Sequence, residues 1–157
     1  DLRQVYAKYV DKSKTYLHAA VTGYQFGKEH TEQCIWQYET WHEAFRGKEL
    51  IIVCGEGILD KLEYDVFDLA KSKKFIYGPK INAWDKHDAL INEIKAVATK
   101  HELIVFILGM AGKVMISELT EQGYICWDVG HLAKFYNAYK KSEIMTEKEK
   151  KLFYAPD

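Results

Sequence analysis

What this sequence lacks narrows it first. It has no excess of charge of either sign: 22 Lys and Arg stand against 23 Asp and Glu, a formal net charge of −1. Binding to nucleic acid or to an anionic membrane surface draws on a basic field, so neither is expected. No apolar run approaches the ~20 residues that cross a bilayer. The three cysteines, Cys34, Cys54 and Cys126, are odd in number and far apart, without metal-ligand spacing or a disulfide framework. Two of them lie in apolar, strand-like runs, where Cys acts as a small hydrophobe. The first residues are charged and helix-like rather than signal-like, and a cytoplasmic location is the expectation. Internal repeats and low-complexity linkers are missing too, and 157 residues suit one domain, 1–157.

What is present centres on Glu49-Leu-Ile-Ile-Val-Cys-Gly-Glu-Gly57. Leu50 to Cys54 is an unbroken apolar stretch, too short for a helix and rich in β-branched residues. Such a run reads as a strand buried on both faces, at the centre of a parallel sheet. It ends in Gly55-Glu56-Gly57, and ligands of open α/β sheets bind just past the carboxyl ends of central strands. Glu56, between two glycines at that edge, is the first functional candidate.

Elsewhere the periodicity alternates between helix and strand. Leu2 to Lys14 predicts a helix, Tyr16 to Val21 a strand, and Tyr24 to Glu29 a loop. Thr31 begins a helix running to about Phe45, with Ile35, Tyr38, Trp41 and Phe45 in register. Helices are expected over Lys61 to Ser72, over Lys86 to His101 with Asp85 as N-cap, up to Gln122 with Gly123 as its stop, and over Leu132 to Lys141. Short strands are expected at Phe75–Tyr77, Leu103–Leu108 and Tyr124–Trp127, and a charged, mobile tail around Met145-Thr146. This alternation predicts a Rossmann-like, three-layer α/β domain with a mostly parallel, doubly wound sheet. Leu50–Cys54 then lies between Phe75–Tyr77 and Leu103–Leu108, with the switch point between the Gly55–Gly57 and Gly109–Lys113 turns.

Three groups of residues can carry chemistry there. Gly109-Met-Ala-Gly112-Lys113 pairs glycines with a helix start, where amides and dipole favour an anion and Lys113 adds charge. The same glycines also suit any βα turn, and the spacing is neither a dinucleotide fingerprint nor a P-loop. Asp128 and His131 end another strand, three apart, and His is the usual base near neutral pH. Glu56 either faces a ligand or accepts bonds from the amides of its own turn.

Gly55-Glu56-Gly57, Asp65-Val66-Phe67, Pro79 with Asn82-Ala83-Trp84, Leu108-Gly109, Gly123-Tyr124 and Asp128-Val129-Gly130-His131 stand in this order over about Lys48 to Tyr139. In that series the chain resembles the bacterial GT-D-type glycosyltransferases, and specifically the C-terminal part of their domain. The resemblance implies transfer of a hexose, most typically glucose, from a uridine diphosphate-sugar to a glycan or glycosylated protein. It implies that Gly55, Gly57, Pro79, Asn82, Gly109, Gly112, Lys113, Asp128 and Lys134 surround the donor, with Glu56 and His131 closest to the chemistry. Expected partners are the donor, the acceptor and, in a homo-oligomer, a second copy of the chain.

Two departures follow. Family members carry a D-x-E pair for Mn or Mg shortly after the Gly-His pair; here the places read Ala133-Lys134-Phe135, and no D-x-E occurs in the chain. Lys134 is placed to neutralise diphosphate in the metal's stead. Family domains also begin earlier, with an Asp-Gly-Glu segment absent here, so the chain is expected to be a fragment or a shortened relative. The alternatives are a non-catalytic nucleotide-sugar or protein-binding module, and a dinucleotide enzyme, the latter disfavoured because no G-x-G-x-x-G unit is present.

Overall fold

The structure, a computed structural model, describes residues 30–153 together with Lys8, Asp11, Ser13, residues 21–23 and Gln25. Apart from those single positions, the elements expected over Leu2–Lys14, Tyr16–Val21 and Tyr24–Glu29 lie outside the described residues. Four strands pair in parallel: β1 (Glu49–Gly55), β2 (Ser72–Gly78), β3 (Leu103–Ile107) and β4 (Ile125–Asp128), in the order β2-β1-β3-β4. Around them lie α1 (Glu32–Ala44), α2 (His87–Val97), α3 (Gly109–Glu121), α4 (Leu132–Lys140) and α5 (Glu147–Phe153), with a 3₁₀ turn at Ala83–Lys86. None of the described helices is long and apolar enough to cross a membrane.

The apolar run of β1 is explained by its two neighbours and two covering layers. Alternation sends Leu50, Ile52 and Cys54 to one face, against Tyr38 and Phe45 at α1 and Leu132 and Phe135 of α4. Ile51 and Val53 go to the other, against Leu90 and Ile94 of α2 and Met115 and Leu119 of α3. All five β1 residues are buried, and each large aliphatic chain so buried contributes ~1.5–3 kcal/mol. The expected three-layer, doubly wound arrangement is therefore present: the chain leaves β1 for β2 on one side, then crosses to β3 on the other. That reversal sets the switch point between β1 and β3.

Local signals decide the helix ends. Thr31 Oγ1 accepts the Cys34 N–H at 3.2 Å and starts α1. Gly123, at φ +86°, closes α3, its N–H donating to Thr120 O and that of Tyr124 to Leu119 O. Within the apparent faces, Ile35 and Val97 point outward and are exposed.

Three expectations fail, each where a side chain takes up backbone N–H groups. Residues 61–71 form turns, not a helix. Asn137 Oδ1 takes the N–H groups of Glu63 and Tyr64 (2.9 and 3.1 Å), and Asp65 Oδ1 takes that of Phe67 at 2.8 Å. Val66 and Phe67 are buried all the same. The helix expected over Lys86–His101 ends at Val97, because Ala98 is extended and Thr99 bonds to the Glu102 carboxylate through N–H and hydroxyl (both 2.9 Å). Asp85 does not cap it; it lies inside the 3₁₀ turn. The tail instead forms α5, started by a reciprocal pair: Thr146 N–H donates to Glu149 Oε2 (2.7 Å) and Glu149 N–H to Thr146 Oγ1 (3.3 Å).

Candidate active site

Past the carboxyl ends of β1 and β3 lies a cavity of about 190 Å³, lined by Gly55, Pro79, Lys80, Gly109, His131 and Lys134 with apolar walls from Ile58, Leu59 and Leu108. Gly55 has to be small: a Cβ there would stand 2.5 Å from Ile58 Cδ1 and 3.2 Å from the Lys80 Cα, which is backbone and cannot swing away. Gly109, at φ +62°, turns β3 directly into α3. The cavity is thus a product of the switch point plus one tight turn.

Two helix N-termini meet at its wall. α3 begins after Leu108 and α4 after His131, and both residues belong to the lining. Neither helix has a side-chain cap bond, and neither has an acid in its first turn. First-turn N–H groups lack intrahelical partners and carry the positive end of the dipole, so an open N-terminus favours an anion. Here two such ends, Lys80 and Lys134 surround one small volume. Lys80 has no ion-pair partner among the described residues. The combined field suits a diphosphate.

The structure brings together Gly55, Pro79, Gly109, His131 and Lys134 of the expected site. Glu56 stands outside the lining, exposed at the rim; its backbone N–H donates to Gly78 O at 3.1 Å, and its carboxylate accepts no bond from its own turn. Gly57, at φ +68°, carries the turn. Asn82 is exposed in the left-handed region (φ 54°) at the start of the 3₁₀ turn, also outside the lining. Gly112 is buried within α3 outside the lining, where a Cβ would make only ordinary contacts with Phe106 and Leu108 at 3.4–3.5 Å.

Asp128 and His131, expected to face one cleft, part company. Asp128 pairs with Lys113 through Oδ2 and accepts the Gly130 N–H through Oδ1 at 3.0 Å. Lys113 is thereby tied to Asp128 rather than to the cavity. His131 lines the cavity with its outer edge in solvent. Its pKa is lowered, first by partial burial and then by the Lys134 charge, against an opposing pull from Asp128. The imidazole is accordingly neutral near pH 7 and able to accept a proton. Burial pushes the thiols of Cys54 and Cys126 up to about 11, so neither is a nucleophile at neutral pH.

Sequence reasoning missed Lys80, Ile58 and Leu59. Lys80 was within reach of the edge-of-sheet rule, which applies to β2 as much as to β1. Ile58 and Leu59 carry no such signal, lying between the Gly55–Gly57 turn and the apolar spacing that begins at Lys61.

The residues present do not fit a divalent metal. In place of the acidic pair, Ala133 and Phe135 are buried and Lys134 faces the cavity. Among the described residues no three of His, Cys, Asp and Glu stand close enough to hold an ion. A cation would also meet the positive helix ends and two lysines.

The family model of the glycosyltransferase GT-D fold matches residues 1–153. A Streptococcus gordonii protein named as a probable glycosyl transferase, Gly, is 32% identical over 98 residues, 62% of this chain and 14% of that protein. Glycosyltransferase GlyD of Streptococcus pneumoniae is 33% identical over 104 residues, 66% of this chain and 13% of that protein. A solved domain of unknown function 1792 superposes with a TM-score of 0.79 at 26% identity, over 91% of this chain and 51% of the other. A structure described as a new glycosyltransferase of that kind from Streptococcus sanguinis gives 0.74 at 24%, over 92% and 54%, a likeness of fold. The chain thus spans about half of the solved relatives and a much smaller part of the curated ones.

Proposed function

This chain belongs to the GT-D glycosyltransferase family, and from that premise we propose that its switch-point cavity binds the diphosphate of a uridine diphosphate-hexose, glucose being the first candidate. The sugar would pass to a hydroxyl of a glycan or glycosylated protein. One observation carries this reading: two uncapped helix N-termini and two lysines converge on a cavity without a metal-binding acidic pair. Transfer breaks the bond between the anomeric carbon and the diphosphate oxygen, and charge grows on that oxygen. Fixed N–H donors and ammonium groups aimed there stabilise the leaving group. The acceptor hydroxyl needs a base, and neutral His131 is better placed than Glu56 because it lines the cavity. Glu56, at the rim, is assigned to holding the acceptor. Gly57, Asn82, Gly112, Lys113 and Asp128 shape the surrounding turns.

Calorimetric titration with uridine diphosphate-glucose, in Mn²⁺ and in EDTA, tests the reading. Binding should occur in both, with affinities closer than about tenfold, or 1.4 kcal/mol. Stabilisation by nicotinamide dinucleotides but not by uridine nucleotides would overturn it. The loss of the acidic pair at Ala133 and Phe135 favours a second reading, a nucleotide-sugar-binding module without turnover. Binding without any sugar release would select that one.

A further inference from the structure

A second cavity, of about 310 Å³, shares the walls Leu59 and Ala133 with the first and opens over one face of β2. That volume is at the lower end of small-molecule sites, ~300 Å³. Its far wall is Phe75 and Tyr77, two residues apart and so on the same face of the strand. Their rings are nearly parallel, 6° between planes and 5.9 Å between centroids, and they are 40% and 49% exposed. Ile76 between them is buried on the opposite face.

Among the described residues β2 is an edge strand, and exposed aromatics on an edge invite unwanted pairing. The amino-terminal half of β2 has guards, since Lys73 pairs with Asp65 and Lys74 is exposed. The aromatic half, next to the first cavity, has none among the described residues. Two carboxylates lie along this second cavity. Asp65 is committed to Lys73 and to the Phe67 N–H. Asp60 is exposed and accepts no hydrogen bond among the described residues.

We propose that this cavity is the acceptor-sugar subsite: a pyranose lays its C–H face on Phe75 and Tyr77 and donates hydroxyls to Asp60. Aromatic faces carry partial negative charge and attract the polarised C–H groups of a sugar ring, while an ionised carboxylate accepts several hydroxyl bonds. The inference rests on reading the first cavity as the donor site, because an acceptor hydroxyl has to reach the anomeric carbon there. The shared walls, Leu59 and Ala133, put the two sugars side by side.

The test uses cellobiose, maltose and diacetylchitobiose as probes, followed by saturation-transfer NMR, with calorimetry of uridine diphosphate in parallel. At least one disaccharide should bind the wild-type chain with a millimolar Kd. Tyr77→Ala and Phe75→Ala should each weaken it about tenfold or more, and Asp60→Asn, on an exposed turn that leaves the fold intact, about threefold or more. Uridine diphosphate affinity should stay within about twofold in all three. Unchanged disaccharide binding in Tyr77→Ala and Asp60→Asn, or none to the wild type at tens of millimolar, would overturn the inference. Disaccharide binding that depends on Tyr77 in a chain that ignores uridine diphosphate would leave the sugar site standing and remove the donor reading instead.

Discussion

The N-termini of α1 and α3 are built from the same backbone and treated in opposite ways. α1 closes on itself: Thr31 accepts the Cys34 N–H, and Glu32 in the first turn answers the dipole. α3 does neither, and α4 likewise has no side-chain cap and no first-turn acid, although its Leu132 N–H donates to Val129 O at 3.0 Å. Free N–H groups at a helix end cost stability when nothing meets them. The closed end takes no part in the cavity lining, whereas the open ends belong to it. The contrast teaches that the missing caps go with the cavity rather than with helices in general; in the proposed function a bound anion would complete them.

The sharpest way to break this comparison is to remove the cations that share the cavity with the open ends. Lys80→Ala with Lys134→Ala should weaken uridine diphosphate binding about a hundredfold, ~2.7 kcal/mol. Lys113→Ala is the control: its ion pair is largely exposed, and affinity should move by less than about twofold. Equal losses in the two proteins would show that only net charge matters. At the closed end, Thr31→Ala should lower unfolding free energy by ~1 kcal/mol in denaturant titration, without touching nucleotide affinity.

Met110→Glu sharpens the contrast at the open end. Met110 is exposed in the first turn of α3 and does not line the cavity. A carboxylate there should stabilise the free chain by about 0.3–1 kcal/mol and weaken diphosphate binding by a similar amount. Stabilisation without loss of affinity would mean that the α3 terminus faces no anion.

The smallest effect is the pH dependence of His131. A histidine held below its ordinary 6.5 in the folded state is protonated first in the unfolded chain. Its contribution to stability is therefore complete above 6.5 and declines as pH falls from there toward the folded value. His131→Gln should remove this slope. Bound uridine diphosphate, being negative, should raise the His131 pKa in an NMR titration; a free-chain pKa at or above 6.5, or no rise on binding, contradicts its place beside the leaving group.

Much of the cavity is legible in the sequence. A strand with apolar residues on both faces declares two covering layers, and the glycine turns at Gly55 and Gly109 mark where backbone can approach a ligand. Those signals are local, so they survive in one dimension. The stretch 61–71 misled for the opposite reason. Its apolar spacing is helical, but Asn137, more than seventy residues later, takes the N–H groups of Glu63 and Tyr64 that a helix would have used. The partner of Lys113 was hidden for the same reason, because a position at a helix start says nothing about a carboxylate on the next strand.

Sequence alone thus determined the strand at the centre, its parallel neighbours, the switch point and the chemistry of the turns, all consequences of periodicity and backbone freedom within a few residues. Only the tertiary structure decided which charges face the cavity. Lys80 and Lys134 reach it while Asp128 turns to Lys113, and Phe75 and Tyr77 stay half exposed at the edge strand of the described sheet, walling the second cavity. Side-chain partners are chosen by distances across the fold, and those distances exist only once the layers have packed.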